Sequence, residues 1–278
     1  MSQRPRFRDH QLDERYERHG YVVVPGAARS VVRPLLEVHR STVGSAPAGF
    51  HSTPYSQDAE QKLAVHRQVS AALRPVVEDL LTGHRILLSS FISKRRGAEG
   101  VMPPHQDWTF VDEPEAVSMN FWVPLVDVDR RNGALSVLPG GHRVPANIRG
   151  SGTSNSFSQV EAFAAGRMVE VPMAAGDVIL HDHRLLHASP PNTRRRPRIT
   201  AGCALVPVGC TAVHYRQVSP GRLERLVLED RFFTDFTYGD DDLPPSARPD
   251  GTIHHENPVF AESDLTALDG PAIASHEH

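Results

Sequence analysis

The feature that most narrows the fold is a run of short β-rich segments beginning near residue 84. RILLSSFISKR, SMNFWVPLVDV, ALSVLPG, MVEVPM, GDVILHDH and RITAGCALVPV follow one another along the chain. Turn formers separate them: Gly97, Gly100, Asn132-Gly133, Pro139-Gly140-Gly141, Ala175-Gly176 and Pro190-Pro191-Asn192. Glycine admits left-handed backbone and proline ends a ladder, so these positions read as strand boundaries. Many short strands at such spacing fit a sandwich or barrel of the jelly-roll kind, with helices packed outside it.

The helices are expected ahead of that run. Asp9 to His19 reads as a helix, followed by a short strand, GYVVVPG, that Pro25-Gly26 closes. Residues 28–42 and 59–82 are predicted helical. In the second, Leu63, Val69, Leu73, Val76, Val77, Leu80 and Leu81 recur at spacings of three and four. The polar stretch from Ala46 to Gln57 reads as a loop. The class is therefore mainly β with flanking helices, in one domain over residues 1–278 whose core spans about 10–206.

Composition sets outer limits. At 278 residues, 39% of them apolar, the chain can bury a full core without disulfides or metals as staples. A net charge of −3 argues against a general nucleic-acid or membrane-surface binder, which would carry a basic excess. No stretch approaches the roughly 18 apolar residues of a membrane span. The charged start, MSQRPRFRDHQLDERYERHG, lacks the apolar centre of a signal peptide. Cys203 and Cys210 form no CxxC pair, and a reducing compartment suits them. The expected location is cytoplasmic. Of 30 basic residues only Lys62 and Lys94 are lysines, which reads as genome bias.

Two segments interrupt the strand rhythm. Residues 146–166, ANIRGSGTSNSFSQVEAFAAG, are Gly/Ser-rich and lie between strands, where a long loop often serves as a lid. Residues 239–258 are acidic and proline-rich, and 239–278 is expected to be a C-terminal tail.

Chemistry concentrates at MPPHQDWTF. On an extended segment, side chains two apart share a face, so His105 and Asp107 can grip one cation. A third ligand must come from elsewhere, and VILHDHRLLHASPPN offers His181, His183 and His187. Two imidazoles and one carboxylate on one face of an octahedron leave three positions open, the arrangement of non-haem iron(II) oxygenases. Zinc prefers tetrahedral sites richer in nitrogen or sulfur. With 16 histidines present, an isolated H-x-D is a weak signal. Context strengthens it. Arg198 lies eleven residues after His187 at the start of the next predicted strand, and would return beside it if the two strands pair across the Pro-Pro turn. A guanidinium there would bind a carboxylate through two parallel hydrogen bonds. Ser189, on the same face as His187, could add a hydroxyl donor.

Taken in order, GYVVVPG, H-x-D, NGALSVLPGGH and the distal H-x-S-x-x-N with its trailing arginine resemble the phytanoyl-CoA hydroxylase family of Fe(II)/2-oxoglutarate dioxygenases. The resemblance covers roughly residues 10–206. It implies a double-stranded β-helix, a cupin-like jelly roll, and a requirement for Fe(II), 2-oxoglutarate and O2. It assigns His105, Asp107 and His187 to the metal. Arg198 and Ser189 match the residues holding the far carboxylate of 2-oxoglutarate, and Trp122 matches an aromatic position beside it. His181 and His183 are left to supporting or surface places. Related halogenases carry Gly or Ala where the carboxylate sits. Asp107 is present here, so the expectation is oxygenation, most readily hydroxylation, of a small molecule, with succinate and CO2 released. Family breadth and composition point to specialised metabolism.

Substrate contacts are expected from Trp108 and Phe110 at the mouth, from Asn120 on the face of Trp122, and from Arg149 on the candidate lid, which would meet an anionic group. Phe232, Phe233, Phe236 and Tyr238 read as core packing. The absence of a lysine-rich patch argues against an acyl-CoA. The competing reading is a cupin-like hydrolase or isomerase using the same three ligands without 2-oxoglutarate.

Overall fold

In a computed structural model, which describes residues 5–45, 48–239 and 242–268, the strand-rich run resolves into antiparallel sheets. The elements in chain order are α1 (His10–His19), β1 (Tyr21–Val24), α2 (Val32–Thr42), β2 (Phe50–Ser52), α3 (Ala59–Leu80), β3 (His84–Lys94), β4 (Met102–His105) and β5 (Met119–Pro124). They continue with β6 (Leu135–Val137), α4 (Glu161–Arg167), β7 (Val169–Val171), β8 (Val178–Asp182), β9 (His187–Ser189), β10 (Arg198–Pro207), β11 (Val213–Ser219), β12 (Arg222–Leu228), α5 (Phe232–Asp235), β13 (Ala247–His254) and α6 (Glu262–Thr266). A six-stranded sheet runs β1-β8-β5-β10-β3-β2, a four-stranded sheet β4-β9-β6-β7, and a three-stranded sheet β11-β12-β13.

Alternation along the strands decides which face meets what. In β5, Phe121 and Val123 point outward. With Phe91, Leu180 and Leu205 they pack against Leu35 of α2 and Val65, Val69 and Leu73 of α3. Leu73 is wholly buried, so truncating it to alanine would cost about 2–5 kcal/mol. Trp122, on the other face, packs with Ile179 of the large sheet and with Leu135, Val137 and Val171 of the four-stranded sheet. The two sheets therefore enclose a second core, and the helices cover the large sheet from outside, which is the jelly-roll architecture expected. Local signals place the helix ends. The Asp9 carboxylate accepts from the Gln11 amide at the start of α1, and Gly20, at φ 78°, closes it in a left-handed turn that suits glycine.

Three expectations change. The Pro190-Pro191 turn does not join a hairpin: β9 lies in the four-stranded sheet and β10 in the large one. The turn carries the chain across the sandwich, so Arg198 reaches the interior from the opposite layer. The loop expected over 46–57 contains β2, which pairs with the end of β3; Ala46 and Pro47 lie outside the described residues. In the expected tail, residues 247–254 form β13, paired antiparallel with β12. Apart from Ala247 its residues are exposed, so main-chain pairing rather than apolar alternation holds it. Residues 240, 241 and 269–278 lie outside the described residues.

Residues 146–166 are packed down. Phe157, Val160 and Ala164 are buried against Leu138, Leu186 and Phe260, and Asn257 clamps Ile148 through both its amide and its carbonyl.

Candidate metal centre

The four-stranded sheet delivers the ligands. β4 and β9 run antiparallel with His105 directly opposite His187, which sets their rings 4.3 Å apart. β4 ends at His105, and Asp107 lies just beyond it, its amide donating to the His183 carbonyl at 3.0 Å. One ligand atom from each of His105, Asp107 and His187 lies within 4.8 Å of the others, close enough to share one cation.

The tautomers suit that role. His105 Nδ1 donates to the Pro103 carbonyl at 2.8 Å and His187 Nδ1 to the Leu185 carbonyl at 2.9 Å. Each bond fixes the ring and leaves Nε2 with its lone pair for a metal. Burial, then the neighbouring His187, lowers His105 to about 4. Burial also lowers His187. For Asp107 burial acts upward, but the imidazoles of His187, His183, His181 and His105 outweigh it and hold the carboxyl well below its usual range. At neutral pH the set is two neutral imidazoles and a carboxylate, the donor chemistry that suits Fe(II).

His181 and His183 are both buried. The His181 ring lies 4.8 Å from that of His187. His183 bonds Ser118 Oγ through Nδ1 at 2.8 Å, and burial holds it down to about 3. They pack against the ligand set, and neither belongs to the converging triad.

The large sheet contributes two basic side chains. Arg198 on β10 sits opposite Lys94 on β3, and both side chains are buried. Arg198 Nη1 donates to the Gly133 carbonyl at 2.8 Å, its Cζ lies 5.4 Å from the Trp122 ring centre, and its Nε has no hydrogen-bond partner. Burial lowers it to about 9. Lys94 Nζ donates to Ser189 Oγ at 2.6 Å and to the carbonyls of Ser189 and Pro190 at 3.0 and 2.9 Å. Burial, then Arg198, lowers it to about 6. Among the described residues no carboxylate pairs with either side chain. At neutral pH Lys94 is then an amine and Arg198 a buried charge with no anion, which is costly, and this arrangement fits a bound dicarboxylate that would pair with Arg198 and draw a proton onto Lys94.

Ser189, expected to meet that dicarboxylate with Arg198, is within the same cluster through Lys94. Trp122 forms the floor under Arg198 and is also part of the inter-sheet core. Lys94 escaped the sequence reading. The chain has only two lysines, and the structure buries both, Lys62 donating to the Phe236 carbonyl at 2.6 Å.

In front of the triad lies a cavity of about 180 Å3. Trp108, Phe110 and Asn120 line it, as does Met102. Phe233, Phe236 and Tyr238 line it too, while Phe232, Phe233 and Phe236 also belong to a packed cluster with Leu226 and Leu228. Arg149 is not free to meet a substrate anion. It is buried, paired through both terminal nitrogens with Glu113 at 2.6 and 2.8 Å, and its Nε donates to the backbone carbonyl of Asp107 at 2.9 Å. It braces the loop that carries the carboxylate ligand.

The family model for phytanoyl-CoA dioxygenase (PhyH) matches residues 16–200, about two thirds of the chain. Phytanoyl-CoA dioxygenase domain-containing protein 1 of Danio rerio is 32% identical over 116 residues, 39% of this chain and 40% of that protein. Phytanoyl-CoA dioxygenase of Arabidopsis thaliana is 29% identical over 116 residues, 41% of each chain. The match thus spans about two fifths of these relatives' length. Among solved structures, the epimerase SnoN with Fe3+, alpha ketoglutarate and nogalamycin RO superimposes with a TM-score of 0.56 at 22% identity, covering 86% of this chain and 94% of that one. The alpha-ketoglutarate-dependent carbocyclase SnoK gives 0.54 at 18% identity, covering 87% and 96%. At such identities these structures establish the shared fold. With the family model spanning the strands that carry the triad and reaching Arg198, the chain belongs to the phytanoyl-CoA dioxygenase (PhyH) family.

Proposed function

We propose that the protein is an Fe(II)- and 2-oxoglutarate-dependent oxygenase that hydroxylates a C–H bond of a small molecule and releases succinate and CO2. The observation that carries this reading is the conjunction of two sites from opposite sheets: a His-Asp-His set with free Nε2 atoms and, across the sandwich, the buried pair Lys94 and Arg198, which no carboxylate meets among the described residues.

His105, Asp107 and His187 would hold Fe(II), which when bound supplies the activation of O2 that no side chain can provide. Arg198 and Lys94 neutralise the far carboxylate of 2-oxoglutarate, Ser189 orients the Lys94 ammonium, and Trp122 limits how the guanidinium can turn. Asn120 holds one oxygen of Asp107, leaving the other to the metal. Phe110, Phe233 and Phe236 exclude water from the space in front of the triad.

A cupin-like hydrolase on the same three ligands would leave Arg198 an uncompensated buried charge with the Lys94 amine idle beside it. The decisive experiment is anaerobic loading with Fe(II) and 2-oxoglutarate followed by exposure to O2, with succinate measured across a metabolite screen. Succinate release that requires iron and oxygen supports the proposal. Hydrolysis or isomerisation without 2-oxoglutarate consumption overturns it.

A further inference from the structure

The cavity carries a construction that the triad does not use. Three rings from distant parts of the chain meet at its mouth: Tyr55 beyond β2, Trp108 beside Asp107, and Tyr238 beyond α5. Their centroids lie 6.4 Å (Tyr55–Trp108), 5.8 Å (Tyr55–Tyr238) and 6.3 Å (Trp108–Tyr238) apart. Trp108 and Tyr238 are within 21° of parallel, and Tyr55 stands edge-on to both at 82° and 77°. His214, 4.8 Å away, and Phe233, 6.3 Å away, brace Trp108. Tyr55 and Tyr238 nevertheless remain 50% and 49% exposed. Large rings left in water at the rim of a cavity forgo hydrophobic stabilisation that a ligand would restore.

Charge narrows the ligand. Among the described lining residues Asp107 is the only Asp, Glu, Lys or Arg, and the metal claims it. An anionic ring or a phosphate-bearing carrier would find no cation to meet it. At about 180 Å3 the cavity is also smaller than the ~300–1,000 Å3 of most small-molecule sites, so a larger ligand would lie partly over the rim.

We infer that this corner receives a flat, uncharged ring system of the substrate, packed against Tyr55, Trp108 and Tyr238. Placing the oxidised carbon deeper, toward His105 and Asp107, rests on the oxygenase reading; the ring site itself does not.

The test is calorimetric titration of the full chain with 2-naphthol, 2-naphthoate and phenyltrimethylammonium. The neutral probe should bind at least about tenfold tighter than either charged one, and Trp108→Ala or Tyr238→Leu should each weaken it about tenfold or more. Trp108→Phe, which keeps a ring, should retain most of the affinity and serves if the alanine variant does not fold. Tighter or equal binding of the anion overturns the inference. So does a preference for the ammonium, which would make the corner a cation cage. Absence of naphthol binding, or binding indifferent to these substitutions, also overturns it. Succinate release is scored separately. Iron-dependent release without neutral-ring selectivity sinks the ring site alone; selectivity without release sinks the oxygenase reading alone.

Discussion

Asn120 Nδ2 donates to Asp107 Oδ2 at 3.1 Å, while Asp107 Oδ1 stands 3.9 Å from His187 Nε2. The amide comes from the large sheet and the carboxylate from the loop after β4, so this bond ties the metal ligand to the opposite layer. It also leaves one carboxylate oxygen to face the imidazole. Asn120→Leu should weaken Fe(II) binding by about 10–100-fold, the usual effect of losing a partner that orients a ligand. Anaerobic metal titration checks it, and unchanged affinity would mean that the bond does not orient Asp107.

Arg198 supplies a fixed fork for a carboxylate. Arg198→Ala should raise the 2-oxoglutarate KM by about 30-fold or more, equivalent to about 2 kcal/mol for a lost buried charge partner. The KM for the primary substrate should move far less. Equal movement of both constants would remove Arg198 from the co-substrate site.

Lys94 offers a pH signature. Burial holds it to about 6, so above that pH Lys94 is a neutral amine before any acid binds. A dicarboxylate beside it favours the ammonium, and binding near pH 8 should therefore take up about one proton. Calorimetry in two buffers of different ionisation enthalpy measures the uptake, which should vanish in Lys94→Met. Wild-type binding without uptake would show that the amine does not face the carboxylate.

The Arg149–Glu113 pair, with side chains 8% and 13% exposed, should reveal itself in stability. Arg149→Met leaves the part-buried Glu113 carboxylate uncompensated, at up to about 3 kcal/mol. The double variant Arg149→Met/Glu113→Leu should recover part of that loss. Denaturant midpoints test it, and additive losses would show that the two side chains do not act as a pair.

Burial keeps His214 neutral by lowering it to about 3. The unfolded chain, with an ordinary histidine near 6.5, binds the extra proton first. Stability from this group is therefore fully present above about pH 6.5 and falls as pH drops toward 3, by up to about 1.4 kcal/mol per pH unit. His214→Gln should flatten urea midpoints between about pH 6 and pH 5; an unchanged slope would assign the acid sensitivity elsewhere.

Much of the centre was readable because spacing carried it. His105 and Asp107 are two apart, and the H-x-S-x-x-N block marks His187, although the short strands holding the two histidines, MPPH and HAS, are not among the β-rich runs. Arg198 was also readable as a residue, but not its route: whether a Pro-Pro turn closes a hairpin or crosses between layers depends on which strands find partners. Lys94 sits in an unremarkable strand, and only the sheet register places it beside Arg198. Glu113 and Arg149 are 36 positions apart, a pairing no local pattern encodes. Arg149 therefore read as a lid residue that would meet an anionic group of the substrate. β13 was missed because its exposed sequence has no apolar alternation to betray it.

The three candidate metal ligands come from one sheet and the loop at its edge, and Lys94 and Arg198 from the other, so a molecule spanning them would be measured as by the jaws of a calliper. The jaw opening is set by Trp122, Val137 and Ile179, packed between the layers. Discrimination between 2-oxo diacids that differ by one methylene would then be written in the thickness of a hydrophobic filling, where enlarging Val137, which packs with Trp122, should shift the preferred length while Arg198 and Lys94 are kept.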